Sequence, residues 1–397
     1  MRDTWLVIGA TLLMILFLEG IYRLQGVLRR ATASPAAAVA PPPSPFEQTG
    51  WARDYHADQA REEAVLWSPY VYLRNPTFTG KVIATDSLGH RVTPVPRSNA
   101  TRSVRLFFLG GSTTFGWYQR SDHTLPAEAA RRVQELLGDS ARVDVTNFGV
   151  PGRTFTQEIL DLQLQLRAGA RPDVVVFYDG INDVAATIQN GQAGFPQNEG
   201  NRVDDFSRGQ QLRNEIAYGT GGGIRAVSRP LFALLMQLEL VKRIVAVKTA
   251  TPAPIPPIRS LAQDLSRIFA GNAALVEALR RYYGFEVIYV WQPALLSSHK
   301  PLTRREAWLR HNEPIAELHR AMPAVIGPAM APVVGSRFID ATTLFDHDSL
   351  DTYVDTYGHT YERANTRVVD TLMPSLSAAV RSAMARAGAT PAPARVP

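Results

Sequence analysis

The sequence predicts an α/β fold in which helices cover both faces of a parallel β-sheet. Apolar runs typical of buried strands occur at residues 104–109, 142–147, 173–178, 285–291 and 335–340. Helical segments separate these runs, and in one of them apolar residues recur at intervals of three and four, at Ile159, Leu162 and Leu166. Alternation of strands and helices is typical of parallel sheets whose two faces are buried.

The composition supports a sizeable core and excludes several kinds of site. Hydrophobic residues make up 45% of the 397 positions and charged residues only 20%. The chain contains no cysteine, which excludes disulfides, thiolate metal sites, a cysteine nucleophile and lipid attachment through an N-terminal cysteine. The formal charge is +6, but arginine is spread along the chain without a basic block, so we expect no nucleic-acid partner.

The N-terminal 30 residues carry an apolar run at 5–18, which reaches residue 24 only if Glu19 and Arg23 are tolerated. The run fits an uncleaved signal anchor or a signal peptide cleaved after the small residues at 31–33. Arginines stand between the run and that cleavage site, which favours the anchor. We therefore predict one N-terminal transmembrane helix within residues 1–30.

Residues 31–50 are rich in alanine and proline and predict an extended tether between membrane and body. Flanking charge favours a cytoplasmic body. The tether favours an extracytoplasmic one, and this is the orientation we expect.

The remaining chain divides into an extension, a body and a tail. Residues 51–103 form an N-terminal extension with a hairpin near 82–92, and residues 104–386 form the body. An insertion at 184–257 contains an apolar helix at 230–247, which fits buried core, a lid or a membrane-contacting surface. Further helices are predicted at 258–283, from 303, and at 360–386, where Pro374 is expected to bend the helix, and the tail at 387–397 is predicted to be disordered.

Candidate catalytic residues follow successive strands. Ser112 comes after the first strand, Gly152 after the second and Asn182 after the third, and His359 with Asp355 precedes the last helix. A serine nucleophile needs a base, a group that orients the base, and donors for the oxyanion, and these residue types can supply each part. Singly, each also fits a turn or a helix cap. Their recurrence at the carboxyl ends of parallel strands favours a common site.

These blocks resemble those of the SGNH (GDSL-like) hydrolases, within the membrane-anchored bacterial branch whose first block reads Gly-Gly-Ser-Thr-Thr. The matching blocks are residues 110–114, 147–152, 180–183 and 355–359. The resemblance covers about residues 104–386. It implies a flavodoxin-like three-layer α/β/α fold, action on esters, no metal or organic cofactor, and a single-pass protein of the bacterial inner membrane with a periplasmic body.

The resemblance also implies the role of each residue. Ser112 would be the nucleophile, His359 the general base and Asp355 the group that orients His359. The Ser112 N–H, the Gly152 N–H and the Asn182 side chain would form the oxyanion hole.

Two departures from the family pattern lie in the last block and shortly after it. The family usually has Asp-x-x-His, whereas one more residue separates Asp355 from His359, so Asp351 or a serine–histidine dyad are alternatives. Gly358 is expected to absorb the additional residue. Ala364 precedes Asn365 where the family often has Gly-Asn.

The leading hypothesis is a membrane-tethered serine esterase that removes acyl groups, above all acetyl, from a cell-envelope carbohydrate or a related ester. An O-acyltransferase using the same site and a non-catalytic glycan-binding envelope protein are the alternatives. No two histidines are spaced four apart on a predicted helix, so no metal site is predicted. We expect substrate specificity to lie in the insertion at 184–257.

Overall fold

The computed structural model describes most of the predicted body and extension. The described residues are 42–61, 65–203, 255–310 and 314–389, with isolated positions at 14, 19, 20 and 206. The predicted transmembrane helix, most of the tether and the predicted helix at 230–247 lie outside them. Among the described residues, no helix combines the length and apolar character that a membrane crossing requires.

The chain divides into two units. One comprises Met1–Ala40 and Gly200–Pro254, and the other comprises Pro41–Glu199 and Ile255–Pro397. Nearly all described residues belong to the second unit, which is described by itself below.

The N-terminal extension begins with a 3₁₀ turn at Pro45–Gln48, earlier than the predicted boundary at residue 51. Its other elements are α1 (Ala52–Arg61), β1 (Leu66–Ser68), β2 (Tyr72–Arg74), β3 (Phe78–Thr79) and β4 (Ala84–Thr85). The two strand pairs are antiparallel, and the chain returns from β4 through a turn that pairs Thr85 with Arg91, where the hairpin was predicted. Buried Phe46 and Tyr55 pack with Phe115 of the body, so the extension shares a core cluster with it.

The body is built on a five-stranded parallel sheet, which confirms the predicted fold class. In chain order its strands and intervening helices are β5 (Ser103–Gly110), α2 (Ser112–Phe115), α3 (Leu125–Leu137), β6 (Arg142–Asn147), α4 (Phe155–Arg167), β7 (Val174–Asp179), α5 (Ile181–Asn190), α6 (Ile258–Tyr283) and β8 (Glu286–Trp291). The remaining elements are α7 (Arg304–Leu309), α8 (Pro314–Ala321), α9 (Pro323–Val334), β9 (Phe338–Asp340) and α10 (Glu362–Ala389). The strand order is β6-β5-β7-β8-β9, and all neighbours are parallel.

The two faces of the sheet are covered by different helices. Along β5, Leu106 and Phe108 face α3 and α10, whereas Phe107 and Leu109 face α4 and α6. This division follows from the two-residue period of a strand, which directs alternate side chains to opposite faces. The strands are apolar on both faces for that reason, and three layers result.

Two helical regions differ from the sequence prediction. The single helix expected from residue 303 is three short helices, because Pro314 and Pro323 each begin a new helix and a proline cannot donate the backbone hydrogen bond that would continue the previous one. The predicted insertion at 184–257 begins inside α5, which runs from Ile181 to Asn190 and buries Val184 against the core.

Candidate active site

Ser112 lies at the carboxyl edge of the sheet, where β5 passes into the short helix α2. The side chain is largely buried, with 9% of the residue exposed. Gly111 precedes it, and a Cβ at this position would overlap Nδ2 of Asn182. A glycine is therefore required at 111 for the Asn182 amide to lie beside Ser112.

His359 and Asp355 form a hydrogen-bonded chain with Ser112. Nε2 of His359 lies 2.6 Å from Ser112 Oγ, and Nδ1 lies 2.6 Å from Asp355 Oδ2. When the Nδ1–H group donates a hydrogen bond to the carboxylate, Nε2 carries the lone pair and can accept the Ser112 proton. Asp355 is itself held, because its Oδ1 accepts the Tyr357 N–H at 2.9 Å.

The additional residue between Asp355 and His359 is accommodated at Gly358. Gly358 has φ +80°, a left-handed conformation that glycine adopts readily. A Cβ there would also overlap Cδ1 of Ile181, so the loop packs closely on α5. Asp351, the alternative partner, instead accepts a hydrogen bond from the Thr303 hydroxyl.

Aromatic side chains cover the imidazole of His359, which is only 2% exposed. The ring centroids of Trp117 and Tyr118 lie 4.9 Å and 5.7 Å from it. Tyr118 has φ +60°, a costly conformation for a bulky residue, and its N–H donates to the Tyr55 hydroxyl of α1 at 2.8 Å. The N-terminal extension thus supports the turn that covers His359, a connection with no signal in the sequence pattern.

Beside Ala364, where the sequence departs from the family pattern, a buried amide side chain links two segments of the chain. Nδ2 of Asn365 donates to Gln119 Oε1 at 2.9 Å, and Gln119 Nε2 donates to the Thr360 carbonyl at 3.1 Å. Ala364 itself is fully buried in the core. The loop that carries His359 is therefore tied to the segment that follows α2.

The Asn182 side chain and the loop that carries Gly152 both approach Gly111, which precedes Ser112. Gly152 has φ +80°, and the carbonyl of the next residue, Arg153, lies 3.7 Å from the point that a Gly111 Cβ would occupy. Within the described part of the chain, the N–H groups of Ser112 and Gly152 and the Asn182 Nδ2 donate no hydrogen bond. These donors are free to meet negative charge on a substrate oxygen.

Asn147 connects the second block to the first. Its Nδ2 donates to the Thr114 carbonyl at 2.8 Å, and its Oδ1 accepts the Gly149 N–H at 2.8 Å. The side chain is fully buried. The loop that carries Gly152 is thereby fixed against α2.

Three carboxyl groups are buried behind this edge of the sheet: Glu158 on α4, Asp179 at the end of β7 and Asp183 on α5. Burial raises the pKa of Asp183 to about 6. Burial, and then the charge of Asp179, raises the pKa of Glu158 well above its usual value, although Arg153 opposes this shift. Asp183 Oδ1 accepts the Phe155 N–H at 3.1 Å. A side-chain hydrogen bond with Asp179 adds to the raised pKa of Glu158.

Raised carboxyl pKa values make stability pH-dependent. The protonated forms favour the folded state at low pH, and this stability is lost as pH rises through the folded pKa values. We expect Glu158→Gln to raise the melting temperature by several degrees at pH 8 and much less at pH 5. The measurement is thermal unfolding at both pH values, with Glu135→Gln on the exposed face of α3 as the control. An equal gain at the two pH values would contradict the prediction.

Within the described ranges, no group of three or more histidine, aspartate or glutamate side chains has an arrangement that could hold a metal ion. The reaction that this arrangement can perform with its own groups is transfer of a proton from Ser112 to His359 and stabilisation of an oxyanion.

Comparison with known proteins identifies a matching family and a set of similar structures. The model of the GDSL-like lipase/acylhydrolase family matches residues 108–319, more than half of the chain. No curated protein matches the chain.

Three solved structures illustrate the similarity. LAE5, an α/β hydrolase enzyme from the metagenome of Lake Arreo, Spain, is 13% identical over 70% of this chain and 96% of its own, with a TM-score of 0.38. A carbohydrate acetylesterase family member from Sinorhizobium meliloti is 15% identical over 70% and 99%, with a TM-score of 0.34. Axe2, an acetylxylan esterase from Geobacillus stearothermophilus, is 11% identical over 70% and 94%, with a TM-score of 0.36.

Proposed function

Since the chain belongs to the GDSL-like lipase/acylhydrolase family and is an SGNH-type ester hydrolase, we propose that Ser112 is its nucleophile and that its substrate is an acylated carbohydrate of the cell envelope. The observation that carries the proposal is the continuous hydrogen-bonded chain from Ser112 through His359 to Asp355, with both distances at 2.6 Å. Removal of the Ser112 hydroxyl is the decisive test, described in the Discussion.

The reaction proceeds in two halves. Ser112 Oγ attacks the ester carbonyl carbon while His359 Nε2 accepts the hydroxyl proton, and the carbonyl oxygen becomes an oxyanion. The N–H groups of Ser112 and Gly152 and the Asn182 amide donate to this oxygen. Collapse breaks the bond to the alcohol, which leaves with the proton from His359.

In the second half, water attacks the acyl-enzyme. His359 Nε2 takes a proton from the water and returns it to Ser112 Oγ as the acyl–serine bond breaks. A free carboxylic acid is released. Asp355 stabilises the imidazolium that exists transiently in each half.

An aromatic hairpin beside Gly152 supports a carbohydrate substrate. Trp67 of β1 is 64% exposed and stacks on Tyr72 of β2, with ring centroids 5.0 Å apart. Trp67 lies opposite Leu73, and Leu73 Cδ1 is 3.6 Å from the point that a Gly152 Cβ would occupy. The hairpin that carries the exposed indole therefore borders the loop of Gly152 through Leu73.

Hydrogen bonds attach this hairpin to the site. Arg153 Nε donates to the Leu73 carbonyl at 3.0 Å, and Gln157 Nε2 donates to the Val71 carbonyl at 2.6 Å. An exposed, rigidly mounted aromatic face offers an apolar surface with little conformational entropy to lose, which suits stacking against a sugar ring.

Trp67→Ala tests this substrate class. We expect KM for an acetylated oligosaccharide to rise about fivefold to tenfold, as the loss of roughly 1 kcal/mol of aromatic contact implies. The kinetics on a small acyl ester should remain unchanged, because a small ester does not reach the indole. Tyr282→Ala is the matched control. Tyr282 is an aromatic residue that is 80% exposed, and it lies just before β8, at the amino end of the strands. An equal loss on both substrates would count against the sugar-stacking role.

The body is proposed to be held at the periplasmic face of the bacterial inner membrane. The apolar run at 5–18 and the proline-rich tether at 31–50 support this location. Fractionation of cells that produce the full chain should find it with the membrane, and removal of residues 1–41 should release it. Full-length protein in the soluble fraction would contradict the proposal.

A further inference from the structure

We propose that Gln197 is a positioning residue that orients the Asn182 amide toward the oxyanion; this rests on the function proposed above. Nε2 of Gln197 donates to Asn182 Oδ1 at 3.1 Å. With the oxygen of Asn182 engaged in this way, its Nδ2 lies against Gly111, beside the nucleophile.

The orientation matters because the two ends of an amide have opposite electrostatic effects. The NH₂ end donates a hydrogen bond to a developing oxyanion and stabilises it, whereas the carbonyl end would repel it. Rotation of Asn182 by half a turn about its last side-chain bond exchanges the two ends. The hydrogen bond from Gln197 opposes that rotation, because a rotated Asn182 would present an NH₂ group to an NH₂ group.

Gln197 follows the C-terminal end of α5, yet its side chain reaches Asn182 at the N-terminal end of the same helix. Asn182 lies in the first turn of this helix, and Gln189 and Asn190 lie in its last turn. Asn190 Nδ2 donates to the Pro196 carbonyl at 2.9 Å, and the N–H of Asn198 donates to Gln189 Oε1 at 3.1 Å. The residues on both sides of Gln197 are therefore tied to the helix that carries Asn182.

The backbone at this turn is also constrained. Asn198 has φ +59°, a left-handed conformation that asparagine tolerates better than most residues. Two hydrogen bonds and this conformation direct the intervening side chain back along α5. The loop therefore holds the Gln197 side chain beside Asn182.

Gln197 also reaches the second predicted donor. Its Oε1 lies 3.8 Å from the point that a Gly152 Cβ would occupy. One amide thus borders both Asn182 and Gly152. A side chain at 152 would be in van der Waals contact with Gln197 and would adopt an unfavourable backbone conformation.

The test is a double-mutant cycle on a small acyl ester, with purified parent protein, Gln197→Met, Asn182→Ala and the double variant. Methionine keeps the length of the side chain but cannot donate. We expect Gln197→Met to lower kcat about tenfold with KM within about twofold, and Asn182→Ala to lower kcat about 10²–10³-fold. In the Asn182→Ala background, Gln197→Met should have no further effect.

Gln197→Glu tests whether the orientation of the Asn182 amide determines kcat. A carboxylate accepts but cannot donate, so it would attract the Asn182 NH₂ group and turn the amide oxygen toward the oxyanion. We expect a larger loss of kcat than in Gln197→Met. Gln165→Met on α4, whose amide bonds Asp161 instead, is the matched control and should match the parent.

The outcomes of these assays separate the hypotheses. An undiminished effect of Gln197→Met in the Asn182→Ala background, or a loss confined to KM, would overturn the positioning role. The melting temperature of each variant is measured first, and the assays are run below it. A loss of activity through unfolding is then recognised, and the coupling between Gln197 and Asn182 is still measured. A parent as inactive as Ser112→Ala would count against the proposed function, whereas an active parent with uncoupled Gln197 counts against this inference alone.

Discussion

Replacement of Ser112 by alanine is expected to lower the hydrolysis of small acyl esters by at least about 10⁴-fold, because no acyl-enzyme can form. The hydroxyl oxygen lies 2.6 Å from His359 Nε2 and is the only heavy atom that the substitution removes. The neighbouring donors and the short helix α2 do not depend on it. The variant should therefore fold like the parent and retain substrate binding.

The assay uses the chain from about residue 42 onward, since the described fold begins there. Ser140→Ala is the matched control, because Ser140 precedes β6 at the amino end of the strands and its hydroxyl donates to the local Leu137 carbonyl. Full activity in Ser112→Ala would exclude the serine mechanism.

The reaction products distinguish the remaining alternatives. Free acetate identifies a hydrolase, whereas transfer of the acyl group to a sugar hydroxyl with little free acid identifies an acyltransferase. Glycan binding that is unchanged by Ser112→Ala, without turnover of any ester, would identify a binding protein.

Replacement of Asp355 by asparagine is expected to lower kcat about 10⁴-fold, comparable to the loss of the orienting carboxylate in other serine hydrolases. An asparagine keeps the shape of the side chain, but its NH₂ group favours the histidine tautomer with the proton on Nε2. That tautomer cannot accept the Ser112 proton. KM should change little, because Asp355 contacts His359 and its own loop rather than the space beside Ser112.

Asp351→Asn is the matched control for this substitution. Asp351 is the alternative orienting residue, but its carboxylate bonds the Thr303 hydroxyl. We expect kcat near that of the parent. Activity retained in Asp355→Asn would identify a serine–histidine dyad, and a loss confined to Asp351→Asn would reverse the assignment.

The sequence predicted the fold class and the ends of the central strands because both depend on local pattern. The alternation of apolar strands with helices indicates a parallel sheet, and the structure confirms it with five parallel strands. Ser112, Gly152 and Asn182 each lie within five residues of the end of one of these strands, so a parallel sheet brings them to one edge. Gly111 indicated the first of these turns in the sequence. A glycine is needed there because Asn182 approaches it closely, and only the structure shows this contact.

Other features depend on contacts between distant parts of the chain. His359 meets Ser112 across 247 positions, and the packing of Gly358 on Ile181 determines how the additional residue is accommodated. The support of Tyr118 by Tyr55 and of Asn182 by Gln197 likewise comes from elements without a repeating pattern. Period and turn chemistry act over a few neighbouring residues and can be read in order, whereas the partner of a buried side chain is selected by the packing of the whole domain. The amino-acid sequence by itself thus determined the sheet and the residues at its edge, and the tertiary structure decided which groups orient them.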